Sequence, residues 1–90
     1  MFKIVFTKKA KEHYLYFVQM GNEKTLSKIH KLLKDIAEHP YIGIGKPEAL
    51  KFSLSGKWSR RINREHRIIY SVNEEEIIVH ILALRSHYSQ

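Results

Sequence analysis

The spacing of apolar residues changes along the chain, and each change marks a predicted element. Phe2 to Phe6 is rich in Phe, Ile and Val, which suits a short strand, and Thr7 behind it is a good helix N-cap. From Lys8 to Met20, Ala10, Tyr14, Phe17 and Val18 recur at helical spacing, and Gly21 stands where a left-handed residue closes a helix. Asn22 can cap a second helix with Leu26, Ile29, Leu32, Leu33 and Ile36 on its apolar stripe; Pro40 stops it just after His39. So little chain separates the two helices that an antiparallel hairpin is expected.

Residues 40–50, PYIGIGKPEAL, hold two prolines and two glycines and predict a loop, the kind of segment that often carries function. Three β-rich runs follow, Lys57–Asn63, His66–Val72 and Ile77–Arg85, joined by short polar turns at Arg64-Glu65 and Asn73–Glu76. They read as an antiparallel meander. The last run, IIVHILAL, is apolar in both alternation phases except at His80, so it should be central and covered on both faces. The fold class is α+β, in the order β-α-α-β-β-β: a helical hairpin on a small, mainly antiparallel twisted sheet, forming a single domain over residues 1–90.

Composition narrows the partner. Ninety residues with 43% hydrophobic content support one core. Against 9 acidic residues stand 16 Lys and Arg, a formal charge of +7 that favours a polyanion such as nucleic acid or an anionic membrane. The absence of cysteine excludes disulfides, thiolate metal sites and a cysteine nucleophile. The N-terminal MFKIVF is too short for a signal sequence, and no apolar run approaches the ~20 residues of a membrane span, so a soluble cytoplasmic protein is expected.

The charge is concentrated in WSRRINREHR, residues 58–67. If the runs on either side pair around an odd-length turn, Arg61 and Arg67 share one sheet face; an even turn separates them. The odd turn is the expectation. Two guanidiniums on one face can hold a phosphate without a metal, while the alternative is a solvated strand edge that resists aggregation. In the loop, Glu48 lies between Lys46 and Lys51, where it can serve as a base for a hydroxyl proton or stand merely solvated. At the end of the last run, His87 is a residue type able to exchange a proton near neutral pH, and Tyr88 can stack on a nucleobase. No metal-ligand spacing, carboxylate cluster, P-loop or hydrolase serine elbow occurs, so neither a metal nor any other cofactor is expected.

The segments GKPEAL (45–50) and LSGKWSRRINREHRIIYSV (54–72), with the terminal His87-Tyr88, closely resemble the Txe/YoeB family of bacterial toxins, within the RelE/ParE-like superfamily. The match runs nearly full length. The resemblance implies a ribosome-dependent mRNA endonuclease acting at the A site, with a cognate Phd/YefM-type antitoxin as partner, a toxin homodimer among the admissible assemblies and no membrane partner. It further implies Glu48 as general base for the RNA 2′-hydroxyl, Arg67 as stabiliser of the phosphorane-like transition state and His87 as acid to the 5′-leaving oxygen. By the same resemblance Lys51 and Arg61 line the phosphate site, and Tyr88 positions the base. Relatives commonly carry proline where Ala49 stands, and they often end at the His-Tyr pair.

Two other classes remain. A gyrase-poisoning toxin of the ParE branch would share the fold and generally lack the catalytic set. A non-catalytic basic module would coat RNA through Arg60, Arg64 and the helical lysines, with steep salt dependence and no cleavage.

Overall fold

The computed structural model describes residues 1–86. Its elements are β1 (Lys3–Phe6), α1 (Lys8–Gln19), α2 (Glu23–Glu38), β2 (Glu48–Ala49), β3 (Trp58–Arg61), β4 (Arg67–Asn73) and β5 (Ile78–Ser86), with a 3-10 turn at Phe52–Leu54. The five-stranded sheet runs β1-β5-β4-β3-β2; β1 pairs parallel with β5, and the remaining pairs are antiparallel. This is the expected α+β architecture, with β2 as an addition.

Local chemistry accounts for the helices. Thr7 accepts from the Ala10 N–H at the start of α1, and Asn22 from the Thr25 N–H at the start of α2. Gly21, at φ +64, supplies the left-handed step between them. The core lies between the hairpin and the sheet: Ala10, Phe17, Ile29, Leu32 and Ile36 pack on Ile62, Ile68, Tyr70, Val79, Ile81 and Leu84. Val18, read from its spacing as part of the apolar face, is exposed instead.

The sheet departs from the sequence expectation in three places. β5 is an interior strand between β1 and β4, and β4 occupies the middle. The reason is that β1 returns parallel to β5 and supplies the outer edge, while β2 adds a strand on the far side. The PYIGIGKPEAL segment is not all loop, since Glu48 and Ala49 pair with Ser59 and Trp58. The β3–β4 turn spans residues 62–66 rather than Arg64-Glu65, because the Asn63 carboxamide accepts the N–H groups of Glu65 and His66 and holds a wider turn.

Arg60 is fully buried on the helix side of the sheet. Its guanidinium donates to Asp35 and to the carbonyls of His39, Ile42 and Ile44, and its Nε to the Tyr70 hydroxyl. The Tyr70 hydroxyl in turn donates to the Pro40 carbonyl at 2.7 Å. One side chain thereby satisfies the backbone of the turn after α2. Burial also removes Arg60 from any RNA-coating surface, correcting its place in the basic-module reading.

Gly43 closes this arrangement at φ +128: a β-carbon there would fall into the Asp35 carboxylate, 2.9 Å from its Cγ and 3.0 Å from Arg60 Nη1. Gly56, also at positive φ, faces open space. Gly43→Ala is therefore expected to cost about 2–4 kcal/mol through backbone strain and overpacking together. Gly56→Ala should cost about 1 kcal/mol from strain alone. Urea unfolding midpoints compare the two, and equal losses would show that the Asp35 contact is not limiting.

Candidate active site

The site is built on the sheet face away from the helices. Ser59 pairs with Glu48 on one side and with Ile69 on the other, while Arg61 pairs directly with Arg67. Residues opposite one another across an antiparallel pair share a face. The wide turn therefore has the predicted odd parity, placing Glu48, Ser59, Arg61 and Arg67 together, while Trp58, Arg60 and Ile62 point into the helix-side core. Trp58 is further held by Tyr41, with ring centroids 5.0 Å apart.

Arg67 Nη1 donates to the Ser59 hydroxyl at 3.2 Å and stands 3.8 Å from a carboxylate oxygen of Glu48. Arg67 is half-buried, whereas Glu48, Lys51 and Arg61 are exposed. The loop bearing Glu48 is tied at both ends: the Arg61 N–H donates to the Gly45 carbonyl at 2.7 Å, and the Leu50 N–H to the Lys57 carbonyl at 2.9 Å. Below it, Leu50, Ile69 and Ala83 form a second apolar cluster with Leu54 and Leu82. The register shift between β4 and β5 lets this cluster form, since Leu82 and Ala83 both join it before Leu84 returns to the main core.

The end of β5 brings a further strand to this face, its Ser86 paired with Arg67. His87 and Tyr88 lie outside the described residues. Ser59 is a site residue that the sequence reading missed, although its i, i+2 relation to Arg61 placed both on one face. Among the described residues no cluster of three or more His, Cys, Asp or Glu could hold a metal ion, and no helix is long and apolar enough to cross a membrane.

His13 joins α1 to the end of β5 by accepting the N–H groups of Leu84 (3.0 Å) and Arg85 (3.1 Å) on Nδ1. Burial, then the nearby Lys9 and Arg85 charges, lower its pKa from 6.5 despite the opposing effect of Glu12. The neutral ring is the accepting form, so the tie is complete above the unfolded value and weakens as pH falls below it. Protection factors at Leu84 and Arg85, which correct for the intrinsic slowing of exchange in acid, should fall as pH drops below 6.5 through the lowered folded pKa and lose that dependence in His13→Gln; an unchanged pH profile in the variant would contradict the tie.

A hollow of about 590 Å³ lies elsewhere, between α2 and the β3–β4 turn, lined by residues including Lys24, Lys28, Lys31, Ile62 and Asn63. The candidate chemistry-bearing groups are on the open sheet face instead. His66 packs its ring against Phe17 with centroids 5.4 Å apart.

Residues 6–88 match the family model described as a YoeB-like toxin of bacterial type II toxin–antitoxin systems. The chain belongs to the YoeB toxin family. A Toxin YoeB from Synechocystis is 47% identical, covering 98% of this chain and 99% of the relative. Among solved structures, the YoeB–YefM complex from Staphylococcus aureus is 44% identical over 98% of this chain and 99% of that one, with a TM-score of 0.83. A YoeB dimer from the same organism is 43% identical over 97% and 98%, with a TM-score of 0.84. This YoeB-family chain is thus the toxin of a type II toxin–antitoxin pair, and its two helices on a five-stranded mixed sheet match the family's architecture.

Proposed function

We propose that this toxin is an endoribonuclease that cuts mRNA in the ribosomal A site, without a metal, by activating the RNA 2′-hydroxyl. The observation carrying the proposal is the placement of Glu48 3.8 Å from Arg67 on an open face that also bears Arg61. Glu48 removes the 2′-hydroxyl proton, Arg67 stabilises the charge gathering on the phosphorus oxygens, and Lys51 and Arg61 hold the neighbouring phosphates. By family resemblance His87 protonates the 5′-leaving oxygen and Tyr88 positions the base; the strand leading to them in sequence ends, as described, opposite Arg67.

Because the nucleophile is part of the substrate, the protein has only to move protons, stabilise charge and orient the RNA. Proton transfer contributes about 10²–10⁴-fold. Orientation by the ribosome supplies much of the remainder, which explains a requirement for it. The S. aureus relative is solved with YefM, so a Phd/YefM-type antitoxin is the proposed neutralising partner, covering the basic face with an acidic segment. The dimeric relative supports a toxin homodimer in its absence. The proposed compartment is the cytoplasm, where ribosomes and mRNA meet.

Stalled ribosome complexes carrying end-labelled mRNA test the reading, with primer extension mapping cuts and naked mRNA as comparison. A ribosome-dependent A-site cut is expected. No cut in either sample, accompanied by DNA double-strand breaks when the toxin is induced, would move it to the gyrase-poisoning branch.

A further inference from the structure

Phe52 is 82% exposed and sits at φ +56, a left-handed backbone that bulky residues rarely adopt. Its surroundings are well fixed. The Leu54 N–H donates to the Lys51 carbonyl and the Ser55 N–H to the Phe52 carbonyl, each at 3.0 Å, closing the 3-10 turn. On either side, Leu50 is buried and Leu54 half-buried in the cluster with Ile69 and Ala83. Ile69 pairs with Ser59, so this cluster lies on the same face as Glu48 and Arg67. The turn therefore directs both leucines into the sheet and leaves the aromatic ring in water beside the candidate active site, at the expense of a strained backbone. Strain of this kind concentrates where a side chain must be presented to a ligand.

We infer that Phe52 is a nucleobase-stacking platform, which grips one base of the RNA while the adjacent Lys51 contacts its backbone. The inference rests on the endoribonuclease reading and adds a subsite to it. A base fits better than a protein partner. In sequence the ring is flanked by Lys51 and Ser53, with Lys57 three residues beyond the turn. Among the described residues, the other large exposed apolar side chains lie on or just after α1, on residues 41–44, and at Met1 and Ile77. An isolated aromatic beside cations is the composition of single-stranded nucleic-acid grooves, whereas a protein-docking surface needs a contiguous apolar patch. Stacking tolerates different bases, because each has a π-face.

The test is cleavage of stalled ribosome complexes at varied toxin concentration by wild type, Phe52→Ala, Phe52→Leu and Phe52→Tyr. All four keep a β-carbon, so the backbone penalty is common to them. The half-saturating concentration should rise about 5–150-fold for Phe52→Ala, the loss of one stacked base, and similarly for Phe52→Leu. Phe52→Tyr should stay near wild type. Maximal rate should hold in all, with circular dichroism unchanged because the ring is exposed. A fully active Phe52→Ala, or a Phe52→Leu that matches wild type, would overturn the stacking role while leaving the nuclease reading intact. A wild-type protein that cuts nothing would overturn both.

Discussion

Arg60→Met should lower the unfolding free energy by about 3–5 kcal/mol, as expected when one partner of a buried ion pair is removed. Methionine keeps most of the aliphatic stem, so the loss reports the guanidinium. Without it, the Asp35 carboxylate keeps the Ile44 N–H but loses its charged partner, and the carbonyls of His39, Ile42 and Ile44 lose the guanidinium donor. Burial opposes ionisation of Asp35, but hydrogen bonds from Arg60 and from the Ile44 N–H outweigh it and lower its pKa from 3.8. A carboxylate lowered in this way stabilises the fold fully above its unfolded value and loses that contribution as pH falls through the folded one. Arg60→Met should therefore also flatten the acid limb of stability below pH 3.8. Urea unfolding at neutral and acid pH measures both effects. A loss under about 1 kcal/mol, the range of exposed pairs, would mean the guanidinium is not what holds the turn.

The second large effect is on rate. Under the proposed mechanism, Glu48→Gln should slow cleavage by about 10²–10⁴-fold, the contribution of a positioned base. Arg67→Ala should slow it by about 10²–10³-fold, as loss of a transition-state donor does elsewhere. Because the two groups stand 3.8 Å apart and Arg67 also holds Ser59, their losses should not multiply in the double variant. Arg67→Lys should recover little, since an ammonium cannot reproduce the guanidinium fork. Initial rates on stalled ribosome complexes measure these effects, with urea midpoints to confirm folding. Full activity in both single variants would remove the acid–base mechanism.

Most of this fold was legible because its signals are local. Thr7, Asn22 and Gly21 marked the helix ends through their own chemistry, and the stripe of α2 needed only its 3.6-residue spacing. The facing of Arg61 and Arg67 was also recoverable, since strand alternation allows only two answers. What escaped depended on tertiary contacts. β2 is two residues long, and only its pairing with Ser59 and Trp58 makes it a strand. Arg60 looks like Arg61 in sequence, yet the same alternation that exposes one buries the other, and its acceptors come from the distant turn after α2. Phe52 gave no periodic signal because its outward placement follows from the burial of Leu50 and Leu54. His87 and Tyr88 were singled out by type and by family resemblance.

The strand order also bears on when the sheet can be completed. β5 follows every other described strand in sequence, yet it lies between β1 and β4. Until it emerges, β1 has no neighbour in the sheet, and the β2–β3–β4 ribbon lacks the strand that joins it to β1. Contacts this remote in sequence form late and only once the whole chain is available. A copy still lacking β5 therefore carries Glu48, Arg61 and Arg67 on a ribbon with no strand behind it on the β1 side. Under the proposed function, the interval before β5 docks is one in which an antitoxin can meet each new molecule before its active face is backed by a complete sheet.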